Sequence, residues 1–568
     1  MTILTLSQIY LSLVKKQKIG FFLLIATSLF GALQQCIMPW GIRYIVNTMS
    51  TAKYNHISIS RTIGFFLIVF VISEMIIRSQ GVFIAIVMPK FKANIKSYFI
   101  NNMLMMNYGY FLENMPGVLT QKVNDIVSSS ERIAQIIIYN FFTIIMSLLL
   151  IIGFMYYIQP FYSFLIMTWF TFHVLTTWLR LKKSLPLVQV HNKVHSSICG
   201  NLSELISRIT SVKTYLGKDY ELKRIDKELH KEKLSLKGAQ LFFEKAKVIQ
   251  SIFSLFFIII LIVHQIYGFN NGKYSIGDFI FVVFVSFNLI TYVWFSSFQL
   301  TIFSREIATI KDAYAVLTKG DADLYDLKNS NMLGIPNNPD IKIKNLSFMF
   351  SSGNKVINDL SLEISFNDKI LLYGKSGTGK STLAKILVGL YSGFSGEITV
   401  GNKPLSDFSR NELNRLVILV EQQTILFNRT IRENICYSNV NYNLEELEHA
   451  LNISCCNEFI TKLEHGLDTK LGEKGISLSG GQIQRIAIAR AVLFNPKILI
   501  LDESTSGLEN ELEKQVISNL VALKNMTLII ISHSVDLLSI IPKKFNMLIN
   551  TEQVSINYGN KGVIECLS

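Results

Sequence analysis

The chain is poor in cysteine, with six in 568 residues, and these form neither a CxxC pair nor a metal-ligand spacing. Cys36, Cys199, Cys436, Cys455, Cys456 and Cys566 therefore do not build a zinc site. Four of them fall in the C-terminal half, where the thiols of a cytoplasmic domain stay reduced. Adjacent Cys455 and Cys456 are expected to be two small apolar positions on a helix. Charge is scarce as well: only 17% of residues are Asp, Glu, Lys or Arg, and long uncharged runs fill roughly the first 310. The N-terminus lacks the marks of a cleaved signal. Lys15, Lys16 and Lys18 precede an apolar run from about Ile19 to Trp40 that is too long for a signal core and has no small-residue cleavage site.

What is present is apolar surface. Half of the residues are hydrophobic and the mean hydropathy is +0.35, high for a soluble protein of this length. Six apolar stretches, at roughly 19–43, 62–88, 133–157, 160–182, 248–268 and 276–303, are each long enough to cross about 30 Å of hydrocarbon as a helix. The gaps after the second and fourth stretches are long, basic and helical in period, whereas those after the third and fifth are short turns. A net charge of +14 could mark nucleic-acid binding, but Lys and Arg collect in the cytoplasmic loops of membrane proteins, so no nucleic-acid partner is expected. The same bias puts both long gaps and both termini in the cytoplasm. The fold class expected is an all-α six-helix transmembrane domain over 1–317, a linker at 318–340 rich in Gly, Pro and Asn, and an α/β P-loop domain over 341–568.

The chemistry is concentrated in the third part. Gly374-Lys375-Ser376-Gly377-Thr378-Gly379-Lys380-Ser381 fits the phosphate-binding loop G-x-x-x-x-G-K-[ST]. An apolar strand, Lys369–Tyr373, precedes it, and a helical run beginning at Thr382 follows. The glycines let backbone N–H groups converge on phosphate oxygens, and the helix N-terminus adds positive potential. Lys380 is positioned for the β- and γ-phosphates, and the Ser381 hydroxyl for Mg²⁺. A second run, Ile498-Leu499-Ile500-Leu501-Asp502-Glu503, reads as a central strand ending in two carboxylates. Asp502 suits a Mg²⁺ ligand and Glu503 a base that polarises an attacking water. ATP and Mg²⁺ are thus the expected cofactors.

About twenty residues before the acidic strand stands Leu478-Ser479-Gly480-Gly481-Gln482. With the two motifs above, it makes the chain resemble the ATP-binding-cassette transporters, specifically half-transporters with the exporter-type membrane fold. The resemblance implies that Ser479, Gly480, Gly481 and Gln482 bind the γ-phosphate of a nucleotide held by a second copy. It implies that Phe350 stacks on adenine, that Gln422 (with Gln423 as the neighbouring alternative) contacts Mg²⁺ and water, and that His533 touches the γ-phosphate. Glu509 stands where the family usually has Asp, and Ser534 where it commonly has Arg. In the membrane half, Phe111–Asp125 and Glu204–Tyr215 resemble intracellular loops, and Ser275-Ile276-Gly277-Asp278-Phe279 resembles the start of the sixth helix.

The expectation that follows is a multi-pass protein of the bacterial inner membrane, with its N-terminus and nucleotide-binding domain in the cytoplasm. It works as a dimer, a homodimer first and a heterodimer as the alternative. ATP drives export of a small amphipathic substrate, an antimicrobial peptide first. A lipid flippase, a multidrug exporter, an exporter-fold siderophore importer and a non-transport ATPase regulator are the alternatives. Fewer than twenty residues precede the first span, so a peptide leader is expected to be removed elsewhere. Glu74, Arg78, Gln34, Gln35, Asn140, His173, Asn288, Thr291, Tyr292 and Gln299 are candidates for the pathway, against a plainer role in interhelical hydrogen bonds. Trp169, Trp178 and Trp294 are expected at the interface or facing lipid.

Overall fold

Uncharged apolar runs in lipid must satisfy their own backbone groups, and helices do so within one segment. The computed structural model describes residues 6–51, 56–320, 336–350, 353–438, 442–472, 478–547 and 556–558. Most of the expected linker and Cys566 lie outside the described residues, as do the side chains of Trp178 and Tyr292. The chain forms two units: Met1–Leu104 with Phe111–Gly320, and Met105–Tyr110 with Asp321–Ser568.

The first unit is helical. Its long helices are α1 (Lys18–Thr51), α2 (His56–Leu104), α3 (Pro116–Ile158), α4 (Pro160–Ser207), α5 (Lys218–Asn270) and α6 (Ile276–Leu317). Five of these, all but α4, are long and apolar enough to cross a membrane. The expected fourth span lies in α4, a 48-residue helix. Tyr162, Ser163, Thr168, Thr171 and His173 dilute its apolar character. α3 carries a π-helical stretch, Ile136–Phe142, that includes Asn140.

Polar side chains inside this unit bond both between helices and within one. Ser147 donates to Gln35 at 2.6 Å, and His173 Nε2 lies 3.2 Å from Ser254 Oγ. Asn288 and Thr291 instead bond back to carbonyls of their own helix. Trp169 departs from the expectation of an interfacial residue. It is 1% exposed, stacks on Phe257 at 5.0 Å and donates to Ser254, because α5 supplies both an aromatic face and an acceptor. The Ser275–Asp278 segment forms a capping box at the start of α6. Asp278 pairs with Arg43, and a Cβ at Gly277 would come within 2.4 Å of Asn47, so only glycine lets α6 start this close to α1. Lys122–Asp312 and Arg132–Glu306 ion pairs tie α3 to α6.

The second unit has two sheets. One is antiparallel, built from β1 (Ile341–Met349), β2 (Lys355–Ile364), β4 (Ser395–Val400) and β5 (Lys403–Pro404) in the order β2-β1-β4-β5. The other contains β3 (Lys369–Tyr373), β6 (Val417–Val420), β7 (Ile498–Asp502), β8 (Thr527–Ile531), β9 (Lys543–Met547) and β10 (Ile556–Tyr558). Its order is β10-β9-β3-β8-β7-β6, parallel throughout except for the β10–β9 pair. Side chains of a strand alternate between faces. Accordingly Ile370, Leu372, Ile498, Ile500, Ile529 and Ile531 enter one core, while Leu371, Leu499, Leu501, Leu528 and Ile530 enter another. The first core takes the apolar face of α7 (Lys380–Leu387), and the second takes that of α8 (Gly480–Leu493) and of α9 (Asn510–Ala522).

Cys455 and Cys456 are both buried, but they form a turn rather than lying on a helix. The helix Leu444–Ile453 ends when Cys455 adopts φ +55°. Its N–H and that of Cys456 then reach back to the carbonyls of Asn452 and Leu451, the paired bonds of a left-handed helix terminus.

Candidate functional site

The site lies where parallel strands end together, at the carboxyl edge of the sheet, as ligand sites of open α/β sheets do. The register decides which side chains meet. Val420 of β6 pairs with Leu501 of β7, so two residues further on Gln422 stands level with Glu503. Asp502 of β7 pairs with Ile531 of β8, which brings His533 to the same edge. Gln422 Nε2 donates to Glu503 Oε2 at 2.6 Å, and His533 Nε2 lies 3.1 Å from Glu503 Oε1. Of the two adjacent glutamines, Gln422 therefore meets the carboxylate. Glu503 has φ +47°, a left-handed backbone that turns its chain out of the strand direction, and its N–H is anchored on Ile531 O at 2.9 Å.

The phosphate loop spans the gap between β3 and α7. Gly374, Gly377 and Gly379 all have positive φ. A Cβ on Gly374 would lie 2.4 Å from Met547 O, and one on Gly379 2.9 Å from Ile357 and 3.1 Å from Val356 O. Around Gly377 there is open space. Lys380 Nζ donates to the carbonyls of Gly374 and Lys375 at 2.8 and 2.9 Å, and Thr378 donates to Lys375 O. Burial pushes the Lys380 ammonium below the ordinary lysine range, with Glu503 and Asp502 pulling the other way. Ser381 Oγ donates to Asp502 Oδ1 at 3.0 Å. Burial raises the Asp502 carboxyl above its usual value; Ser381 lowers it and Glu503 raises it further. A buried carboxylate beside a hydroxyl is a hard-oxygen pair that fits Mg²⁺.

Phe350 follows β1 and packs edge-on against Phe348 and Tyr391, at 5.2 and 5.6 Å between ring centres. Phe348 pairs with Ile357, the residue that closes on Gly379, so the aromatic corner belongs to the same end of the unit as the phosphate loop.

Ser479 is the N-cap of α8 and forms a capping box with Gln482. A Cβ at Gly480 would meet nothing within 4 Å, whereas one at Gly481 would come within 2.8 Å of Gly507 O. The apolar faces of α8 and α7 are buried in different cores of the sheet. Gln484, which no sequence motif singled out, accepts from Gly507 N–H at 3.0 Å and ties the loop after Glu503 to α8. The same loop is pinned by a buried Thr505–Glu513 hydrogen bond of 2.6 Å. Its only advance signal was a polar residue in an apolar helix. Glu509 is the N-cap residue of α9, without a side-chain cap. A groove of about 880 Å³ beside this edge is lined by Ile418, Glu421, Thr424, Tyr437, Arg490 and Phe494, among others.

Two family models match the chain: ABC transporter over residues 357–506, and ABC transporter transmembrane region over residues 21–293. With the phosphate loop, the carboxylate pair and the capped signature helix in place, the chain belongs to the ABC transporters. More narrowly it is an exporter-type half-transporter, with one membrane domain fused to one nucleotide-binding domain, and it hydrolyses ATP in transport. Similar chains include an uncharacterized ABC transporter ATP-binding protein, YwjA, of Bacillus subtilis. It is 27% identical over 536 residues, covering 92% of this chain and 91% of that protein. The ATP-dependent lipid A-core flippase of Vibrio parahaemolyticus is 32% identical over 391 residues, 66% of this chain and 65% of that one. The structure of a bacterial Atm1-family ABC exporter with ATP bound matches with a TM-score of 0.85 over 95% of this chain and 94% of the other. At 18% identity it speaks to the fold alone.

Proposed function

We propose that two copies of this chain form an ATP-driven exporter of the bacterial inner membrane, with its cassettes in the cytoplasm. Its cargo is an amphipathic molecule with a charged headgroup, a lipid ahead of a small antimicrobial peptide. The observation that carries the cargo reading is a charged network on a membrane helix. Arg78 Nε contacts Glu74 at 2.9 Å, Gln34 donates to the same carboxylate at 3.4 Å, and the Arg78 side chain is 82% exposed. An arginine facing hydrocarbon costs about 2.5–3.5 kcal/mol, so this face belongs to a polar pathway. The curated relatives named lipid A-core flippase add weight to a lipid.

The dimer reading rests on α8. Its N-terminal Ser479 and the N–H groups of Gly480 and Gly481 form an anion site, but α8 packs in a different core from the phosphate-loop helix. We assign closure of the nucleotide site to the signature of a second copy. Lys380 and the loop N–H groups hold the phosphates, Phe350 offers a ring to the base, and Ser381, Asp502 and Gln422 would hold Mg²⁺. Bound there, Mg²⁺ withdraws charge from the β- and γ-phosphates. Glu503, fixed at both oxygens by Gln422 and His533, orients water and takes its proton. Nucleotide then favours the closed pair, a population shift that opens the pathway outward.

The test is ATP hydrolysis by the purified protein in lipid nanodiscs, with Glu503→Gln as control, on addition of lipid A or of small amphipathic peptides. Stimulation by lipid A supports the lipid reading. Stimulation by peptides alone moves the cargo to the peptide, and hydrolysis unaltered by either overturns the amphipathic cargo.

A further inference from the structure

We propose that a cavity of about 390 Å³ among α3, α4, α5 and α6 binds a small soluble zwitterion, a molecule with a primary ammonium at one end and a carboxylate at the other. The volume lies at the lower end of small-molecule sites, about 300–1,000 Å³. None of the lining residues comes from α2, so the cavity is separate from the Glu74–Arg78 network to which the transported molecule is assigned. The apolar stretch of α4 ends near residue 182. At 1.5 Å per residue, His191 and His195 lie about 13 and 20 Å further along that helix. That is past the reach of a lipid headgroup that stays in its leaflet, so the guest is soluble.

Most charged side chains of the wall have partners. Lys122 pairs with Asp312 and donates to Ser196, Arg132 pairs with Glu306, and His195 Nδ1 lies 2.7 Å from Glu232. Lys122 and Glu306 are 6% and 3% exposed, and charges buried that far persist only when paired. Two charges are left over, and their signs are opposite. Among the described residues, no hydrogen bond or ion pair reaches the Asp125 carboxylate on α3 or the Arg305 guanidinium on α6.

Asp125 is half-buried, and burial raises its carboxyl above the usual value; Lys122 and His195 lower it, while Asp312 and Glu306 raise it again. An ammonium set against it restores the charged form. Arg305 is the more exposed of the two, and it acts on the His191 imidazole of α4. Burial pushes that imidazole below its ordinary value; Glu232 opposes, and His195 and Arg305 lower it further. It is therefore neutral at neutral pH. Its Nδ1 lies 3.4 Å from Ser235 Oγ, which leaves Nε2 for a guest. The Arg305 guanidinium can fork onto a carboxylate through two parallel hydrogen bonds. A cation alone would satisfy Asp125 and leave Arg305 unmatched. An anion alone would do the reverse and sit among the four carboxylates of Asp125, Glu232, Glu306 and Asp312. A molecule with both charges satisfies both and adds no net charge to the wall. Bound amine-first, it joins α3 to α6 beside the point where Asn192 of α4 already donates to Thr309 of α6 at 3.2 Å.

The test uses the full chain in nanodiscs without nucleotide, reading amide exchange of residues 121–132 and 305–312 by mass spectrometry. Glycine, β-alanine and γ-aminobutyrate are titrated in turn, which moves the ammonium stepwise away from the carboxylate. Butylamine and butyrate, each with one of the two charges of γ-aminobutyrate, are the controls. At ten times its dissociation constant, a zwitterion of the series should slow exchange there about tenfold and leave residues 498–502 of the cassette unchanged. Each control should change exchange by less than about twofold. Asp125→Asn and Arg305→Gln remove charges that have no partner in the wall. Both should keep basal ATP hydrolysis within about twofold, yet lose the slowing; Asp125→Glu, which keeps the charge, should retain it. If none of the three zwitterions slows exchange in the unmodified protein, the site is overturned. Slowing by butylamine equal to that by γ-aminobutyrate overturns the zwitterion, because Asp125 alone would then hold the guest. Slowing in Asp125→Asn and Arg305→Gln like that of the parent overturns the role of these two charges.

Discussion

His533 Nε2 lies 3.1 Å from Glu503 Oε1, and the two residues reach one another because β7 and β8 pair in a register that ends both strands together. The imidazole holds one carboxylate oxygen while Gln422 holds the other. Glu503→Gln removes the proposed base but keeps the shape. Hydrolysis should fall by about 10²–10⁴-fold while ATP binding persists, measured as phosphate release beside retained nucleotide. Turnover at the parental rate would show that another group positions the water.

Lys380→Ala should act on binding rather than chemistry. It removes the ammonium that bridges the Gly374 and Lys375 carbonyls and that is proposed to hold the phosphates. Loss of one partner of a buried charge contact costs about 2–5 kcal/mol, so ATP affinity should drop by at least tenfold in a direct binding titration.

The carboxyl of Asp502 is raised by burial, and the sign matters. A carboxyl whose folded pKa exceeds its unfolded one binds more protons folded, so its contribution favours folding at low pH. That contribution is lost as pH rises through the unfolded and then the folded value. At neutral pH the ionised Asp502 is therefore a strain on the nucleotide-free fold. Asp502→Asn should raise the melting temperature of the nucleotide-free protein by about 2 °C while abolishing the further rise that Mg²⁺ and ATP give together. A lower melting temperature without nucleotide would contradict the burial argument.

The phosphate-loop glycines separate two costs. Gly377→Ala meets open space and pays only for its left-handed φ, about 1–2 kcal/mol. Gly374→Ala adds a clash with Met547 O and should lower stability by more than that and displace the loop. Thermal unfolding and ATP titration of both variants check the order, and equal losses would refute it.

How much of this could be read beforehand follows from the range of each interaction. The phosphate loop and the strand ending in Asp502 and Glu503 are contiguous patterns, so their residues were identifiable in the sequence. Gln422 was preferred to Gln423 only through the family resemblance, because the contact that distinguishes them depends on Val420 pairing with Leu501, segments far apart in the chain. Trp169 looks like any interfacial aromatic until α5 supplies Ser254 and Phe257. Cys455 looks helical until the turn closes on Leu451 and Asn452.

The dimer can be tested by mixing defects, and the structure says which signature glycine to change. Gly481→Ala would press on Gly507 O and confound folding with function. Gly480 has open space, so Gly480→Asp should fold and set a carboxylate where a partner's γ-phosphate would lie. In a dimer of one Lys380→Ala copy with one Gly480→Asp copy, both defects fall in one composite site and the other stays whole. In a dimer of an unmodified copy with a double variant, each site carries one defect. If two copies share their sites, the first mixture should keep about half of the parental hydrolysis and the second almost none. Sites built within one chain would give about half in the second mixture and almost none in the first, so tagged mixed dimers assayed side by side decide the question by the order of their rates.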